Sequence, residues 1–337
     1  MSGLVATPSG RRPISPRLAA LMILGLVLLG VSIRVFAPTR VDWLRAALVV
    51  FGSLVIQAVP FVLVGAAAAA LIEVFVPIGA FERIARLPRP LRLPAAGLAG
   101  VLLPICECGS VPVARRLIHR GLDPSSAFTF MLAAPVVNPV VIASTFYAFR
   151  GRDTLWTMVL GRTGLGLLVA MAVGWALGAL GKEQILRPVD EEDRAHGLEL
   201  GRPEPRWRRF FVHLADDFLF MGGYLLLGAS MAAIVQTFIP QGLLERIGGT
   251  PVVDIVLMMV IASLLSLCSE SDAFIAASFT QFGASSQLAF LVFGPMVDLK
   301  LGALYAGSFR RVVVLTIVAV AAVTTFIGSI WTGVLTG

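Results

Sequence analysis

Long apolar stretches alternate with short polar stretches along most of the 337-residue chain. A helix that crosses the hydrocarbon core of a bilayer needs about 20 mainly apolar residues. Runs of that length recur along the sequence, separated by segments rich in Arg, Pro and Gly. The pattern therefore predicts an all-α polytopic membrane protein with room for about eight or nine transmembrane helices.

The first apolar run extends from about Arg17 to Ala37 and follows Arg11 and Arg12. It is longer than the apolar core of a signal peptide, and no small-residue cleavage pattern follows it. We therefore expect a retained helix, which together with the preceding tail forms an N-terminal part over residues 1–41.

The rest of the chain contains two related units. The segments 74–84 and 237–247 read VFVPIGAFERI and TFIPQGLLERI, which are identical at six of eleven positions. Further along, the same comparison pairs Cys106 with Cys268 and Asn138 with Asp298. Chance similarity between apolar helices does not keep Pro, Gly, Glu and Arg in register. We expect a first repeat unit over 42–180, a charged linker over 181–206 and a second repeat unit over 207–337.

Each unit is predicted to contain a long helix, an interrupted segment and two further spans. The interrupted segments cover about 94–120 and 251–282. In hydrocarbon, backbone groups freed by a helix break must find partners in protein or in a water-filled cavity. Breaks in both units therefore predict a cavity of the kind in which secondary transporters bind solutes.

The topology of the interrupted segments stays open at this point. If each segment spans the bilayer, Arg115, Arg116 and Arg120 violate the positive-inside rule. If each segment is a re-entrant hairpin, every unit has an odd number of crossings. The two units are then inverted relative to each other, and the linker is cytoplasmic.

Composition supports the membrane class and limits the partners. The chain is 57% hydrophobic and 14% charged, with a mean hydropathy of +0.89, which is far more apolar than a soluble domain. The net charge is +7, but the arginines lie at the ends of apolar segments, as the positive-inside rule requires. We therefore expect a lipid bilayer and no nucleic acid as partners. The linker is expected to be a solvated loop, or else a docking site for a partner.

Nucleotide and catalytic metal motifs are missing from the sequence. It contains neither a phosphate-binding GxxxxGK[ST] segment nor an HExxH spacing of histidines. We therefore expect no cofactor, no bound metal ion and no enzymatic activity.

The first break reads LPICECGSVP over 103–112, and the second reads LCSESD over 267–272. Two prolines and a glycine are expected to stop regular helix in the first break. Thiolates at Cys106, Cys108 and Cys268 would suit soft metals or trivalent metalloids, and all three would converge if the breaks met. In the alternative interpretation, the cysteines are small residues that fill tight helix crossings.

Five charged residues lie in segments that otherwise read as membrane: Glu107, Glu270, Asp272, Asp298 and Lys300. Such residues are costly in a membrane and usually functional. We expect Glu107, Glu270 or Asp272 to carry a coupling proton or bind a cationic solute, and Asp298 to pair with Lys300, Arg115 or Arg116. The alternative is a set of charge pairs that stabilises the bundle interior.

A third element, APVVNP over 134–139, is matched by GPMVDL over 294–299. Proline frees backbone carbonyls in a helix, and Asn138 or Asp298 can bond to those carbonyls or to a solute. Both elements are expected to line the cavity.

The segments PICECGSVPVAR over 104–115 and AAPVVNPV over 133–140 resemble a predicted permease family that includes the ArsP organoarsenical efflux permeases. The resemblance covers about residue 51 to the C-terminus and implies a multi-pass permease of the bacterial inner membrane. Some members export trivalent organoarsenicals and so confer arsenical resistance. The matching motif positions are Cys106, Cys108, Gly109, Pro112, Pro135, Asn138 and Pro139. Glu107 stands where the family motif usually has a small residue.

The leading hypothesis is a secondary transporter that exports a small solute, such as a trivalent metalloid or an organoarsenical, through a site formed by the two breaks, with protons as the candidate coupling ion. The candidate substrate-binding residues are Cys106, Glu107, Cys108, Gly109, Pro112, Asn138, Pro139, Cys268, Glu270, Asp272 and Asp298. Two other hypotheses are a membrane thiol oxidoreductase that uses Cys106 and Cys108, and a non-transporting membrane scaffold or sensor.

Overall fold

The structure is a computed structural model that describes residues 42–75, 88–101, 105–180, 185, 205–238 and 250–336. Within these ranges the chain forms α-helices, short 3₁₀ turns and no β-strand. The helices are α1 (Asp42–Phe75), α2 (Arg89–Leu98), α3 (Glu107–His119), α4 (Pro124–Val137), α5 (Pro139–Ala148), α6 (Leu155–Leu177), α7 (Arg206–Phe238), α8 (Pro251–Leu265), α9 (Asp272–Ser278), α10 (Ala284–Phe293), α11 (Leu299–Ser308) and α12 (Arg311–Thr336). The predicted first helix at 17–37 and most of the linker and of the 74–84 and 237–247 motifs lie outside the described residues.

The predicted class of an all-helical membrane protein is confirmed. Five helical segments of the described chain are long and apolar enough to cross a bilayer: Arg45–Ile72, Pro124–Ala148, Leu155–Leu177, Arg206–Thr237 and Arg311–Val334. Three shorter apolar helices accompany them: Leu91–Val101, Pro251–Leu265 and Ala284–Phe293. The predicted total of about eight or nine crossings and the repeat-unit boundaries stay predictions.

The two long helices, α1 and α7, pack against each other. Each also packs against one short helix, α1 against α3 and α7 against α11. Large apolar side chains such as Ile56 on α1 and Leu227 on α7 are exposed. An apolar exterior of this kind suits contact with lipid.

Helices α2 and α3 form a hairpin against α4. Arg92, near the start of α2, pairs with Asp123, which directly precedes α4, at 3.1 Å. Gly100, just beyond the end of α2, packs against Ala134 near the end of α4. Helix α2 therefore runs parallel to α4, whereas α3 joins α4 through a short turn and runs back along it. The first interrupted segment is thus a hairpin whose tip contains Ile105 and Cys106. The number of crossings, the inversion of the units and the side on which the linker lies stay predictions.

Helices α8 and α9 form a second hairpin of the same kind. The end of α8 lies against the start of α11: Ser263 Oγ donates a hydrogen bond to the Val297 carbonyl at 2.9 Å, and Oγ of Ser266, directly after α8, accepts one from the Leu299 amide at 3.1 Å. The chain then turns through Ser266, which has a left-handed φ of 46°, and returns through α9 to α10.

Two further interruptions separate α4 from α5 and α10 from α11. Asn138 Oδ1 accepts a hydrogen bond from the Val140 amide at 2.9 Å, and Asp298 Oδ1 accepts one from the Leu301 amide at 2.6 Å. Each side chain caps the helix that follows it. The ring of Phe309, directly after α11, lies 5.1 Å from the ring of Phe128 near the start of α4. The two broken helices therefore run in opposite directions.

Candidate functional site

The four interruptions come together inside the helical bundle. Helix α3 contacts α11, and helix α9 contacts α5. All four helices begin in this region, so charged and polar side chains from both halves of the chain lie close together. We call the following set the charged chain, in the order of its contacts: Asp298, Lys300, Glu107, Ser269, Arg162 and Asp272.

The two hairpin tips touch through a side-chain hydrogen bond. Glu107 is the first residue of α3, and Ser269 lies in the turn between α8 and α9. Ser269 Oγ donates to Glu107 Oε2 at 2.9 Å, and both residues are buried. The two breaks singled out in the sequence therefore form one polar region.

Lys300 lies between two carboxylates of this region. Its Nζ is 4.0 Å from Glu107 Oε1 and 3.8 Å from Asp298 Oδ2, and its side chain is 0% exposed. Neither separation reaches hydrogen-bond distance, and Nζ has no hydrogen-bond partner among the described residues. Of the pairings predicted for Asp298, the one with Lys300 is present in this form.

Arg115 and Arg116 have other neighbours. Arg116 makes two hydrogen bonds to Asp217 on α7, at 3.1 and 3.0 Å. The Arg115 guanidinium lies over the ring of Phe220, 4.9 Å from its centre. These arginines tie α3 to α7, and Lys300 is the predicted alternative that pairs with Asp298.

Arg162 completes the charged chain and was missed in the sequence. Its Nη1 donates to Thr145 Oγ1 at 2.9 Å, and its Nη2 donates to the Ser269 carbonyl at 2.9 Å and to Asp272 Oδ2 at 2.8 Å. A signal was available, because Arg162 is a charge in the middle of the apolar run that forms α6. The rule that identified Glu107 and Lys300 applies to it equally.

Each carboxylate of the charged chain has one bonded and one free oxygen. Glu107 Oε2, Asp298 Oδ1 and Asp272 Oδ2 accept hydrogen bonds. Their other oxygens, Glu107 Oε1, Asp298 Oδ2 and Asp272 Oδ1, are buried without a hydrogen-bond partner in the described chain. Because a buried carboxylate oxygen without a partner is costly, these three atoms can accept a hydrogen bond or bind a positive charge.

The three cysteines border the charged chain. Cys106 is the N-cap of α3, Cys108 lies in its first turn, and Cys268 precedes Ser269; all three are buried free thiols. The Cys108 and Cys268 thiols both interact electrostatically with Glu107 and Lys300. No group of three or more His, Cys, Asp or Glu side chains among the described residues could hold a metal ion.

Gly109 lies at a helix crossing. A Cβ atom added to Gly65 on α1 would lie 2.3 Å from the Gly109 Cα, so the two backbones are in direct contact there. Gly109 therefore positions the start of α3, beside Glu107 and Cys108. The equivalent crossing of α7 and α11 is at Gly228, where an added Cβ would lie 2.7 Å from the Lys300 Cα.

The remaining predicted site residues differ in position. Pro112 lies inside α3, so the prediction that it stops the helix is wrong; its missing N–H instead leaves the Cys108 carbonyl outside the helical hydrogen-bond ladder. Asn138 is buried as the cap of α5, whereas Pro139 is exposed at the first position of that helix. Glu270 is half-buried at the second tip, and its Oε2 has no hydrogen-bond partner within the described ranges.

Comparisons with known proteins agree with this architecture. Residues 43–334 match the model of a family described as "Predicted permease". The UPF0718 protein YcgR of Bacillus subtilis is 38% identical over 283 residues, which cover 83% of this chain and 95% of the relative. A Streptococcus mutans protein described as a candidate subunit of a two-component membrane permease complex is 32% identical over 289 residues, covering 86% of this chain and 95% of the relative. No solved structure matches the chain. The chain is a multi-pass membrane protein that belongs to the predicted permease family.

Proposed function

We propose that this permease is a secondary transporter that exports a small solute through the charged chain between the two hairpin tips. The contact between Ser269 and Glu107 at 2.9 Å carries the proposal. It joins residues of both halves of the chain in one buried polar site, surrounded by helices whose outer faces are apolar. Charged residues inside a membrane protein commonly mark solute or ion pathways.

The direction of the helices supports a mechanism of alternating access. The broken helices α4–α5 and α10–α11 run in opposite directions, and each half contributes one hairpin. We propose that the units 42–180 and 207–337 are inverted repeats. Rocking of one unit against the other would then expose the charged chain to each side of the membrane in turn.

The proposed solute class is a trivalent metalloid or organoarsenical. Cys106, Cys108 and Cys268 supply three buried thiols at the border of the charged chain, and thiolates are soft ligands that suit such species. The proposed location is the bacterial inner membrane. Because one relative is described as a subunit of a two-component permease complex, a second membrane subunit is a candidate partner here.

A resistance screen tests this function. Cells that lack their own arsenical exporter would express the protein and grow on trivalent organoarsenicals, arsenite, other metals and small anions. We expect resistance to the trivalent arsenicals, and its loss when Cys106, Cys108 and Cys268 are all replaced by Ser at equal membrane abundance. Undiminished resistance of the triple variant would contradict the role of the thiols.

A second pair of variants tests the pathway itself. Glu107→Gln removes the charge at the contact of the two tips, whereas Asp153→Asn removes an exposed carboxylate in the turn before α6. We expect loss of resistance in the first variant and unchanged resistance in the second. Equal resistance in both variants would contradict transport through the charged chain.

A further inference from the structure

The two cations of the charged chain, Arg162 and Lys300, make ion pairs of very different geometry. Arg162 donates directly to Asp272 at 2.8 Å and also bonds to Thr145 and to the Ser269 carbonyl. Lys300, by contrast, is 3.8 and 4.0 Å from its two carboxylate neighbours and makes no hydrogen bond in the described chain. A direct bond between an ammonium and a carboxylate is about 2.7–2.9 Å long. We call the directly hydrogen-bonded pair of Arg162 and Asp272 the closed pair. Lys300 with Glu107 and Asp298, which lack direct hydrogen bonds to it, is the open pair.

In the open pair, the Lys300 amine lies beside carboxylate oxygens that accept no hydrogen bond in the described chain. The carboxylate oxygens paired with Lys300 Nζ are Glu107 Oε1 and Asp298 Oδ2, and each is the oxygen of its carboxylate that has no hydrogen-bond partner among the described residues. A buried pair that served stability alone would close its hydrogen bonds, because desolvation of both charges otherwise goes uncompensated. The spacing instead suits a positive charge that is shared between the two carboxylates, offsets one of their two negative charges and can leave them.

The backbone of Lys300 is fixed, so its side chain supplies the movement. Gly228 on α7 brings the two helices so close that an added Cβ would lie 2.7 Å from the Lys300 Cα and 3.1 Å from its carbonyl oxygen. The lysine ammonium sits on a flexible four-carbon stem. The amine can therefore swing away from Glu107 and Asp298 without a shift of α11.

The chemistry of the site favours a monovalent cation as the group that takes the place of the amine. Three carboxylates outnumber two cations in the charged chain, which disfavours an anion. Among the described residues, no group of three or more His, Cys, Asp or Glu side chains could hold a metal ion, which disfavours a tightly held multivalent metal.

We propose that Glu107 and Asp298 bind the monovalent coupling cation of the transporter, a proton or Na⁺, and that Lys300 is a resident cation that this ion displaces. The assignment rests on the proposed transport function. The other groups that interact with Lys300, Glu107 or Asp298 are Cys108 on α3, Cys268, Ser269 and Glu270 at the second tip, Asp272 on α9 and Tyr305 on α11. The resident amine offsets one of the two negative charges between cycles and sets how tightly the ion binds.

The thermal midpoint of the purified full-length protein in detergent tests this proposal without any solute. One arm titrates NaCl against choline chloride at constant ionic strength, and the other varies pH at constant Na⁺. If Lys300 occupies the site for about 90–99% of the time, its removal tightens cation binding roughly 10- to 100-fold. We therefore expect Lys300→Gln and Lys300→Met to lower the half-maximal Na⁺ concentration by that factor, or to move the pH midpoint upward. The titration in which the thermal midpoint changes, with Na⁺ or with pH, identifies the ion as Na⁺ or a proton.

Matched variants complete the test. Lys300→Arg, which keeps the charge, is expected to bind the cation as weakly as the wild type. Glu107→Gln and Asp298→Asn are expected to remove the response, and the exposed Asp153→Asn to leave it unchanged. An unchanged or weaker cation affinity in both Lys300→Gln and Lys300→Met would overturn the proposal, as would the absence of any response to Na⁺ and pH.

This outcome is separable from a failure of the proposed function. If the cation response is present but arsenical resistance is not, the solute class is wrong and the ion site stands. If resistance depends on Glu107 while purified protein shows no cation response, transport through the charged chain stands and the role of Lys300 is wrong.

Discussion

Gly65 is the residue through which the packing of α1 controls the position of the site. In Gly65→Ala, the new Cβ would lie 2.3 Å from the Gly109 Cα, 2.7 Å from its carbonyl oxygen and 2.9 Å from its carbonyl carbon. All three atoms belong to the backbone of α3, so no side chain can turn aside to make room. The substitution must therefore push the first turn of α3 away from α1.

The size of the effect follows from these distances. Carbon atoms in ordinary contact are about 3.5–4.0 Å apart, so α1 and α3 must separate by roughly 1.2–1.7 Å at this point. Overpacking of this kind costs about 1–3 kcal/mol of stability. A misplacement of about 1 Å at a functional centre reduces rates by up to about 100-fold, and Glu107 lies only two residues from Gly109. We expect a lower thermal midpoint and at least a roughly tenfold loss of export.

Gly52 on the same helix is the matched control, because an added Cβ there would meet no atom within 4 Å. Gly52→Ala also replaces a helix-interior glycine, a change that favours the helix by up to about 1 kcal/mol. The assay compares the thermal midpoints of both variants in detergent and their export from cells at equal membrane abundance. If Gly65→Ala matched Gly52→Ala in both measurements, the close crossing at Gly109 and its role in placing Glu107 would be refuted.

The remaining predictions concern the charged chain and its supports. Gly228→Ala should disturb the backbone of Lys300 and reduce export, whereas Gly223→Ala, which would meet no atom within 4 Å, should not; cellular export of the pair checks this. Arg162→Gln leaves Asp272 buried without its cation, so we expect a loss of about 3–5 kcal/mol, seen as a fall in thermal midpoint. Ser269→Ala removes the hydrogen bond to Glu107, worth about 1.5–3 kcal/mol, but keeps the carbonyl that accepts from Arg162, so its midpoint should fall less. Pro139→Ala should leave export unchanged, and a large loss would contradict its placement on the exposed side of α5.

The membrane class and the broken helices could be predicted from sequence, because apolar run length and proline position are local signals. Long helices lie at 42–75 and 206–238, where the apolar pattern predicts helices at about 43–76 and 207–239. Local sequence signals do not decide whether an interrupted segment spans the bilayer or forms a hairpin. That choice depends on the contact of Arg92 with Asp123 and of Gly100 with Ala134, which no periodicity reveals.

The sequence predicts most residues of the candidate site but not the contacts between them. Glu107, Asp272 and Asp298 were identified because charges in apolar segments are rare, yet their partners come from distant helices. Arg162 lies more than 100 positions from Asp272 in the sequence, so tertiary packing, in which α5 contacts both α6 and α9, brings them together. Pro139 was included through the Asn-Pro motif, although the direction of its side chain depends on how α5 is rotated.

The most direct test of the account is solute flux in proteoliposomes that contain the purified protein and the solute identified by the resistance screen. The comparison is between wild type, Glu107→Gln and the exposed-carboxylate control Asp153→Asn. If the solute crosses between the two hairpin tips, Glu107→Gln abolishes flux and Asp153→Asn retains it. Flux at the wild-type rate in Glu107→Gln would contradict a pathway through the charged chain.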